Sequence, residues 1–186
     1  MEFLKKNISN ILLIAFVVLL LIPQTRMPLQ VGLQRLFSWS PSEIEAENQT
    51  SLSDYHWKLT RDSETYTLKQ SEGRVTIINV WATWCPPCVA EMPSLQNLYD
   101  AYGDIVDFYF VSSEEEAVIQ RFMEAKEYRF PVYRPLESPP TALASQSIPK
   151  TWVLSKSGAI VIEKTGAAQW DSESVFRLLD RLLAEE

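Results

Sequence analysis

The segment that carries both cysteines of the chain constrains its fold most strongly. Cys85 and Cys88 are the only cysteines, and they lie in the stretch WATWCPPCVAEMP with the spacing C-x-x-C. A β-branched, apolar run over 75–80 precedes them, and apolar residues recur behind them at helical spacing. This pattern predicts that a buried strand turns into a helix at the cysteines. The N–H groups and partial positive charge of a helix N-terminus lower the pKa of a thiol, which would make Cys85 a nucleophile.

Two cysteines at this spacing form neither a disulfide framework nor a zinc site. A bridge between them closes almost no loop, and tetrahedral zinc needs four ligands, whereas the chain has two cysteines and one histidine, His56. We therefore expect no metal and no cofactor, and a surface position for His56. The chain has a net charge of −7, of which the first 36 residues carry +3 and the rest −10. Such an acidic body argues against a nucleic-acid partner.

Residues 1–26 combine a basic start, Lys5-Lys6, with an apolar run over 11–22. The run is close in length to a signal-peptide core, but no small-x-small cleavage site follows it. We expect residues 1–26 to be an uncleaved signal anchor that crosses the bacterial cell membrane once; cleavage would instead release a secreted protein. Because the positive flank stays cytoplasmic, the rest of the chain is expected on the periplasmic or extracytoplasmic side.

Residues 27–54 are expected to connect this anchor to the globular domain. Leu29, Leu33, Leu36 and Phe37 recur at helical spacing. They predict a short amphipathic helix that lies either on the membrane surface or against the domain. The polar, acidic stretch 40–53 that follows has the composition of a flexible linker.

The remaining residues, 55–186, have the pattern of an α/β domain. Alternating residues predict a β-hairpin between Trp57 and Leu68, and a buried strand follows from Arg74 to Trp81. Helices are expected over 114–127, capped by Ser112 or Ser113, and over 171–184. The predicted order is a hairpin followed by β-α-β-α-β-(α)-β-β-α, which builds a central sheet with helices on both faces.

The stretch INVWATWCPPC, with Glu91 and Pro93, resembles the membrane-anchored thioredoxin-like thiol-disulfide oxidoreductases of the TlpA/ResA/CcmG type. The resemblance extends from Tyr55 to Leu183. It implies a thioredoxin fold with an added N-terminal β-hairpin and a central helix–strand insertion. Lys150 departs from the family pattern, in which a small residue is common, and so leaves the preference of the partner groove open.

The resemblance implies a redox-active disulfide between Cys85 and Cys88. Cys85 attacks a partner disulfide, and Cys88 resolves the mixed disulfide that forms. Glu91 lies three residues after Cys88 on the same helix face, so a buried carboxyl there could take the proton of Cys88. The alternative for Glu91 is a solvated helix residue.

Five further residues are expected to form the substrate-binding surface. Pro86 and Pro87 rigidify the turn, and Trp84 either faces the partner or packs in the core. Ile148-Pro149 is expected to be a cis bond that leaves the backbone of Ile148 free to pair with an extended peptide.

Two residues have alternative interpretations. Glu114 is either a second active-site acid or a helix N-terminal charge. Trp170 either borders the cleft or only covers the last helix.

The implied activity is reduction of disulfides in extracytoplasmic protein substrates, as in cytochrome c maturation or metal-site assembly. A membrane thiol-electron carrier would supply the electrons. One alternative is a peroxiredoxin-like thiol peroxidase, but Thr83 lacks the T-x-x-C spacing to either cysteine. Another is a redox-inactive interaction module on a thioredoxin scaffold, against which the intact cysteine pair argues.

Overall fold

The structure is a computed structural model that describes residues 2–21, 23–36 and 38–185. The described residues form one mixed sheet of seven strands in the order β2-β1-β5-β4-β3-β6-β7. The strands are β1 (Lys58–Arg61), β2 (Glu64–Thr67), β3 (Thr76–Val80), β4 (Asp107–Val111), β5 (Val132–Pro135), β6 (Lys150–Leu154) and β7 (Ile160–Thr165). The helices are α1 (Glu2–Leu21), α2 (Pro23–Leu36), α3 (Pro86–Tyr102), α4 (Glu116–Lys126) and α5 (Glu173–Ala184). Short 3-10 turns occur at Ala46–Asn48, Leu68–Ser71 and Thr141–Leu143.

The predicted order of elements is confirmed, including the hairpin and the helix–strand insertion. Strand β1 pairs with β2 across a turn in which Asp62 and Ser63 have positive φ. The insertion α4–β5 adds a strand parallel to β4, and β5 then pairs antiparallel with β1. Helix α4 begins two residues later than predicted. Glu115 stands at its N-cap position, so Ser112 and Ser113 do not cap it.

The core consists of two apolar clusters, one on each face of the sheet. Helices α3 and α5 bury their apolar stripes in the first cluster, and Phe122 and Met123 of α4 pack against it. The second cluster is covered by the segment 52–57 and by the 3-10 turns that contain Leu68 and Leu143. The prediction of helices on both faces is therefore wrong. In the described ranges, short irregular segments with large apolar side chains bury the second face, and no α-helix contributes to it.

The N-terminal region forms helices α1 and α2. Among the described residues, none of the helices has both the length and the apolar character that a membrane crossing needs. Helix α2 packs along α3, which corresponds to the docked alternative for this segment. Phe37, which was part of the predicted amphipathic pattern, and Ile22, the end of the apolar run, lie outside the described residues.

The stretch predicted as a flexible linker is instead bound to the edge of the sheet. The backbone N–H of Ile44 donates to Val161, and the N–H of Ile160 donates to Thr50 at 2.7 Å. Leu52 then buries its side chain in the second cluster. The composition was misleading because hydrogen bonds along an edge strand come from the backbone and do not require apolar side chains.

Candidate active site

The two cysteines lie where β3 ends and α3 begins, as predicted. Strand β3 is central, since it pairs with β4 on one side and β6 on the other. Cys85 is the N-cap of α3, and it forms a disulfide with Cys88. Cys85 is 3% exposed and Cys88 is fully buried. This is the oxidised form of a dithiol, and its outer sulfur belongs to the N-terminal cysteine.

The start of α3 offers the outer sulfur a single helix N–H donor. Pro86 and Pro87 occupy the first positions of the helix and have no N–H group. The first N–H group of α3 is therefore that of Cys88, and it donates to Sγ of Cys85 at 3.3 Å. Such a donor, together with the positive end of the helix dipole, stabilises a thiolate on Cys85 in the reduced form.

Glu91 is buried behind the cysteines, with 1% of its surface exposed. Its carboxylate accepts hydrogen bonds from Nδ2 of Asn79 at 2.9 Å, from Nε1 of Trp170 at 2.9 Å and from the backbone N–H of Ala168 at 3.2 Å. Burial raises the pKa of this carboxyl to about 7, although the three hydrogen bonds and the charge of Lys164 act in the opposite direction. Glu91 is therefore a buried carboxyl and not a solvated helix residue.

The Ile148–Pro149 bond is cis, as expected. Strands β3 and β6 are antiparallel, with Val80 paired to Lys150. This register places Pro149 next to the loop that carries the cysteines, because Pro149 directly precedes Lys150 and the loop directly follows Val80. The alternation of side chains along β6 then directs Thr151 toward Asn79, to which it is hydrogen bonded, and Lys150 to the opposite face.

Lys150 does not face the cysteines. Its Nζ lies 2.5 Å from Oε1 of Glu163 and 3.0 Å from Oγ1 of Thr165, and it also lies over the ring of Trp152. The side chain of Lys150 is therefore held against the neighbouring strand β7.

Glu114 binds the loop that leads into the cysteines. It precedes α4, and its carboxylate accepts hydrogen bonds from the backbone N–H of Thr83 at 2.6 Å and from the Thr83 hydroxyl at 2.7 Å. The hydroxyl of Ser112 adds a third donor at 3.3 Å. Glu114 therefore fixes the loop just before Trp84, and it is not a charge within the first turn of α4.

The exposure of the tryptophans separates the alternatives left open by the sequence. Trp84 is 67% exposed next to Cys85, whereas Trp81 is buried in the first cluster. Trp170 is fully buried and reaches Glu91, so it does more than cover the last helix. The side chain of His56 is largely exposed, as expected.

Sequence reasoning missed the partners of Glu91. Asn79 is a polar residue within the apolar run 75–80, and a buried amide always needs hydrogen-bond partners. That signal was available in the sequence, but it did not identify Trp170 or Ala168. Among the described residues, no three His, Cys, Asp or Glu side chains come together as metal ligands would.

Comparison with known proteins places the chain in a family. The family model described as Redoxin matches residues 47–175. The chain belongs to the Redoxin family. Its relatives include the sporulation thiol-disulfide oxidoreductase A of Bacillus subtilis, which is 28% identical over 149 residues that cover 75% of this chain and 88% of the relative. The thiol-disulfide oxidoreductase ResA of Oceanobacillus iheyensis is 41% identical over 73 residues, 38% of each chain.

A solved structure of a protein similar in sequence has the same fold as this chain. The crystal structure of StoA from Bacillus subtilis superposes with a TM-score of 0.53 and 26% identity, and the match covers 73% of this chain and all of that one. The protein is therefore a thioredoxin-like thiol-disulfide oxidoreductase of the ResA/StoA type.

Proposed function

We propose that the protein reduces disulfides of extracytoplasmic proteins through the Cys85–Cys88 dithiol. The observation that carries this proposal is the position of the pair at the N-terminus of α3, where Cys85 accepts the N–H of Cys88. Cys85 is the outer residue of the pair, so its sulfur is the one that a partner reaches first. A thiolate at this position attacks a disulfide sulfur of the partner protein.

The reaction proceeds through a mixed disulfide. The Cys85 thiolate forms a bond to one partner sulfur, and the partner disulfide breaks so that its other sulfur leaves as a thiolate. Cys88 then attacks Sγ of Cys85, the bond from Cys85 to the partner breaks, and the electron pair leaves with the partner sulfur. Two electrons pass to the partner, and the Cys85–Cys88 disulfide forms.

Glu91 is the proton acceptor for Cys88 in this second step. Cys88 must lose its proton to attack, and its burial excludes water as a ready base. Glu91 lies on the next turn of α3, and its pKa of about 7 suits an acid–base group that works near neutrality. A carboxyl with an ordinary pKa would be a weaker base for a thiol.

The partner is bound around the outer sulfur by Trp84, Pro86, Pro87, Ile148 and Pro149. Trp84 supplies an exposed aromatic surface beside Cys85, and the two prolines are half-buried at the start of α3. Within the described residues, the backbone of Ile148 makes no hydrogen bond. It is therefore available to pair with an extended peptide segment of the partner.

Residues 1–26 hold the protein at the bacterial cell membrane as a signal anchor, with the domain 55–186 outside the cytoplasm. Apolar side chains of α1 support this proposal because they remain exposed over 11–17, and a contiguous exposed apolar surface marks a membrane or protein contact. The basic residues Lys5 and Lys6 set the orientation. A membrane thiol-electron carrier then re-reduces the disulfide, and the partners belong to cytochrome c maturation or metal-site assembly.

Covalent trapping in living cells tests this proposal. A full-length Cys88→Ala variant is expected to accumulate mixed disulfides with extracytoplasmic proteins, and dithiothreitol is expected to release them. The matched Cys85→Ala variant, which keeps the inner cysteine, is expected to trap none. Equal trapping by both variants would contradict the proposal, as would full insulin-disulfide reduction by Cys85→Ser.

A further inference from the structure

The two oxygens of the Glu91 carboxylate have different surroundings. Oε2 accepts two hydrogen bonds, from the indole N–H of Trp170 and from the backbone N–H of Ala168. Within the described part of the chain, Oε1 accepts a single hydrogen bond, from Nδ2 of Asn79. Glu91, Trp170 and Asn79 are all buried, so these contacts decide which oxygen can bind a proton.

The donors on Oε2 cannot become acceptors. An indole N–H and a peptide N–H only donate, so a proton on Oε2 would point at two other hydrogens. An amide side chain can do both, because rotating it by half a turn exchanges its NH₂ group for its carbonyl oxygen. The proton of Glu91 therefore belongs on Oε1, next to Asn79.

Asn79 is arranged for this exchange. Its Nδ2 also donates to Oγ1 of Thr151 at 2.8 Å, whereas its Oδ1 is buried and has no hydrogen-bond partner among the described residues. A buried acceptor without a donor is costly. After a half-turn, Oδ1 would accept from a protonated Oε1 and from the hydroxyl of Thr151. The rotation thus gives Oδ1 two partners, while Nδ2 takes the buried position in which Oδ1 has none.

We propose that Glu91 binds its proton on Oε1 and that the side-chain amide of Asn79 rotates with each protonation, while Trp170 is a fixed donor that favours the ionised carboxylate. This inference rests on the proposed role of Glu91 as the acceptor of the Cys88 proton. When Cys88 attacks Sγ of Cys85, its proton moves to Oε1 and Asn79 presents Oδ1. Reduction of the disulfide returns the proton to Cys88 and the amide to its first orientation.

Few charged or titratable groups face Glu91. Lys164 of β7 carries a positive charge that lowers the pKa of Glu91. Cys85 and Cys88, at the start of α3, precede Glu91 by six and three residues, and they do not titrate while they are bonded to each other. The hydrogen bonds that Glu91 accepts from β3 and from the segment before α5 come from neutral groups. A titration of the oxidised protein near neutral pH therefore reports Glu91 without interference from the thiols.

Carboxyl-carbon NMR of the full-length oxidised protein tests the inference without any turnover. Trp170→Phe is expected to raise the pKa of Glu91 by about one to two. This change corresponds to the loss of one hydrogen bond that stabilises the charged carboxylate. Trp152→Phe is the matched control, because Trp152 is equally buried and its Nε1 has no hydrogen-bond partner among the described residues. It is expected to leave the pKa unchanged.

The Asn79→Leu variant tests the rotation, since leucine has a similar shape and no polar atoms. It removes a donor from the ionised form and an acceptor from the protonated form, so we expect a smaller change in the pKa of Glu91 than with Trp170→Phe. In the wild-type protein, the side-chain NH₂ resonances of Asn79 are expected to shift with the same midpoint as Glu91. Because this second measurement uses the wild-type protein, it tests the rotation even if the Asn79→Leu variant does not fold.

Two results would overturn the inference. An equal rise in the pKa of Glu91 in Asn79→Leu and Trp170→Phe would make Asn79 a fixed donor like Trp170. NH₂ resonances of Asn79 that stay constant while Glu91 titrates would exclude the rotation. Failure of the proposed function is recognised separately: Glu91→Gln would then resolve mixed disulfides with an unchanged pH dependence, whatever the NMR titration of the resting protein gives.

Discussion

The stability of the oxidised protein is expected to fall as the pH rises through neutrality, and Glu91 is the reason. Its carboxyl is buried, and its pKa is about 7 against an ordinary value of 4.5. Glu91→Gln replaces this carboxyl with a neutral group of the same shape that does not titrate. The carbonyl oxygen of the glutamine can still accept from Trp170 and Ala168, so the change removes the charge and retains the packing.

The sign follows from the proton affinities of the two states. The folded protein binds the Glu91 proton more tightly than the unfolded chain, so the contribution is fully present below about pH 4.5 and is lost as the pH rises through about 7. The difference of about 2.5 between the two pKa values corresponds to about 3 kcal/mol in the free energy of unfolding. Only part of this contribution to the free energy of unfolding remains between pH 5 and 7, and little of it remains above pH 8.

Urea unfolding of the full-length oxidised protein between pH 4.5 and 8.5 measures this contribution. The intact disulfide keeps both thiols from titrating, and all other groups are common to wild type and variant. The difference in stability between wild type and Glu91→Gln should therefore change by about 3 kcal/mol over this range. Glu173→Gln serves as the control, because Glu173 is a surface residue of α5 with an 84% exposed side chain. A difference that stays constant with pH would refute the reasoning.

Two further predictions concern the scaffold. Lys150→Met is expected to lower the free energy of unfolding by about 1 kcal/mol in urea, because it leaves the half-exposed Glu163 without its cation. The rate of insulin reduction should not change. A slower rate would show that Lys150 contacts the partner. Gly166→Ala is expected to cost about 1 kcal/mol through its positive φ alone. Gly158→Ala has nearly the same φ but places a Cβ 2.5 Å from the hydroxyl of Tyr55, so its free energy of unfolding should fall by about 1–3 kcal/mol more in urea unfolding. Equal losses in the two alanine variants would exclude this clash.

The parts of the site that are local in sequence could be predicted. The strand–helix junction at Cys85 follows from an apolar run beside a helical repeat, and the burial of Glu91 follows from its spacing to Cys88 together with the family resemblance. The direction of Lys150 could not be predicted in this way, because it depends on the pairing of β6 with β3, which places Thr151 against Asn79.

The parts that depend on distant segments could not be predicted. Trp170 reaches Glu91 only because the segment before α5 returns to the side of α3, and no periodicity encodes that return. The polar composition of the stretch 40–53 predicts a linker. Its backbone hydrogen bonds to β7 leave no trace in the choice of side chains.

The pairing of this N-terminal stretch with β7 has a consequence for synthesis. Ile44 and Thr50 leave the ribosome early, but their hydrogen-bond partners Val161 and Ile160 belong to the last strand. The segment that contains Ile44 and Thr50 therefore cannot form these hydrogen bonds until nearly the whole chain has been synthesised. A chain that stops before β7 would lose the ordered position of its N-terminal segment as well as the missing strand.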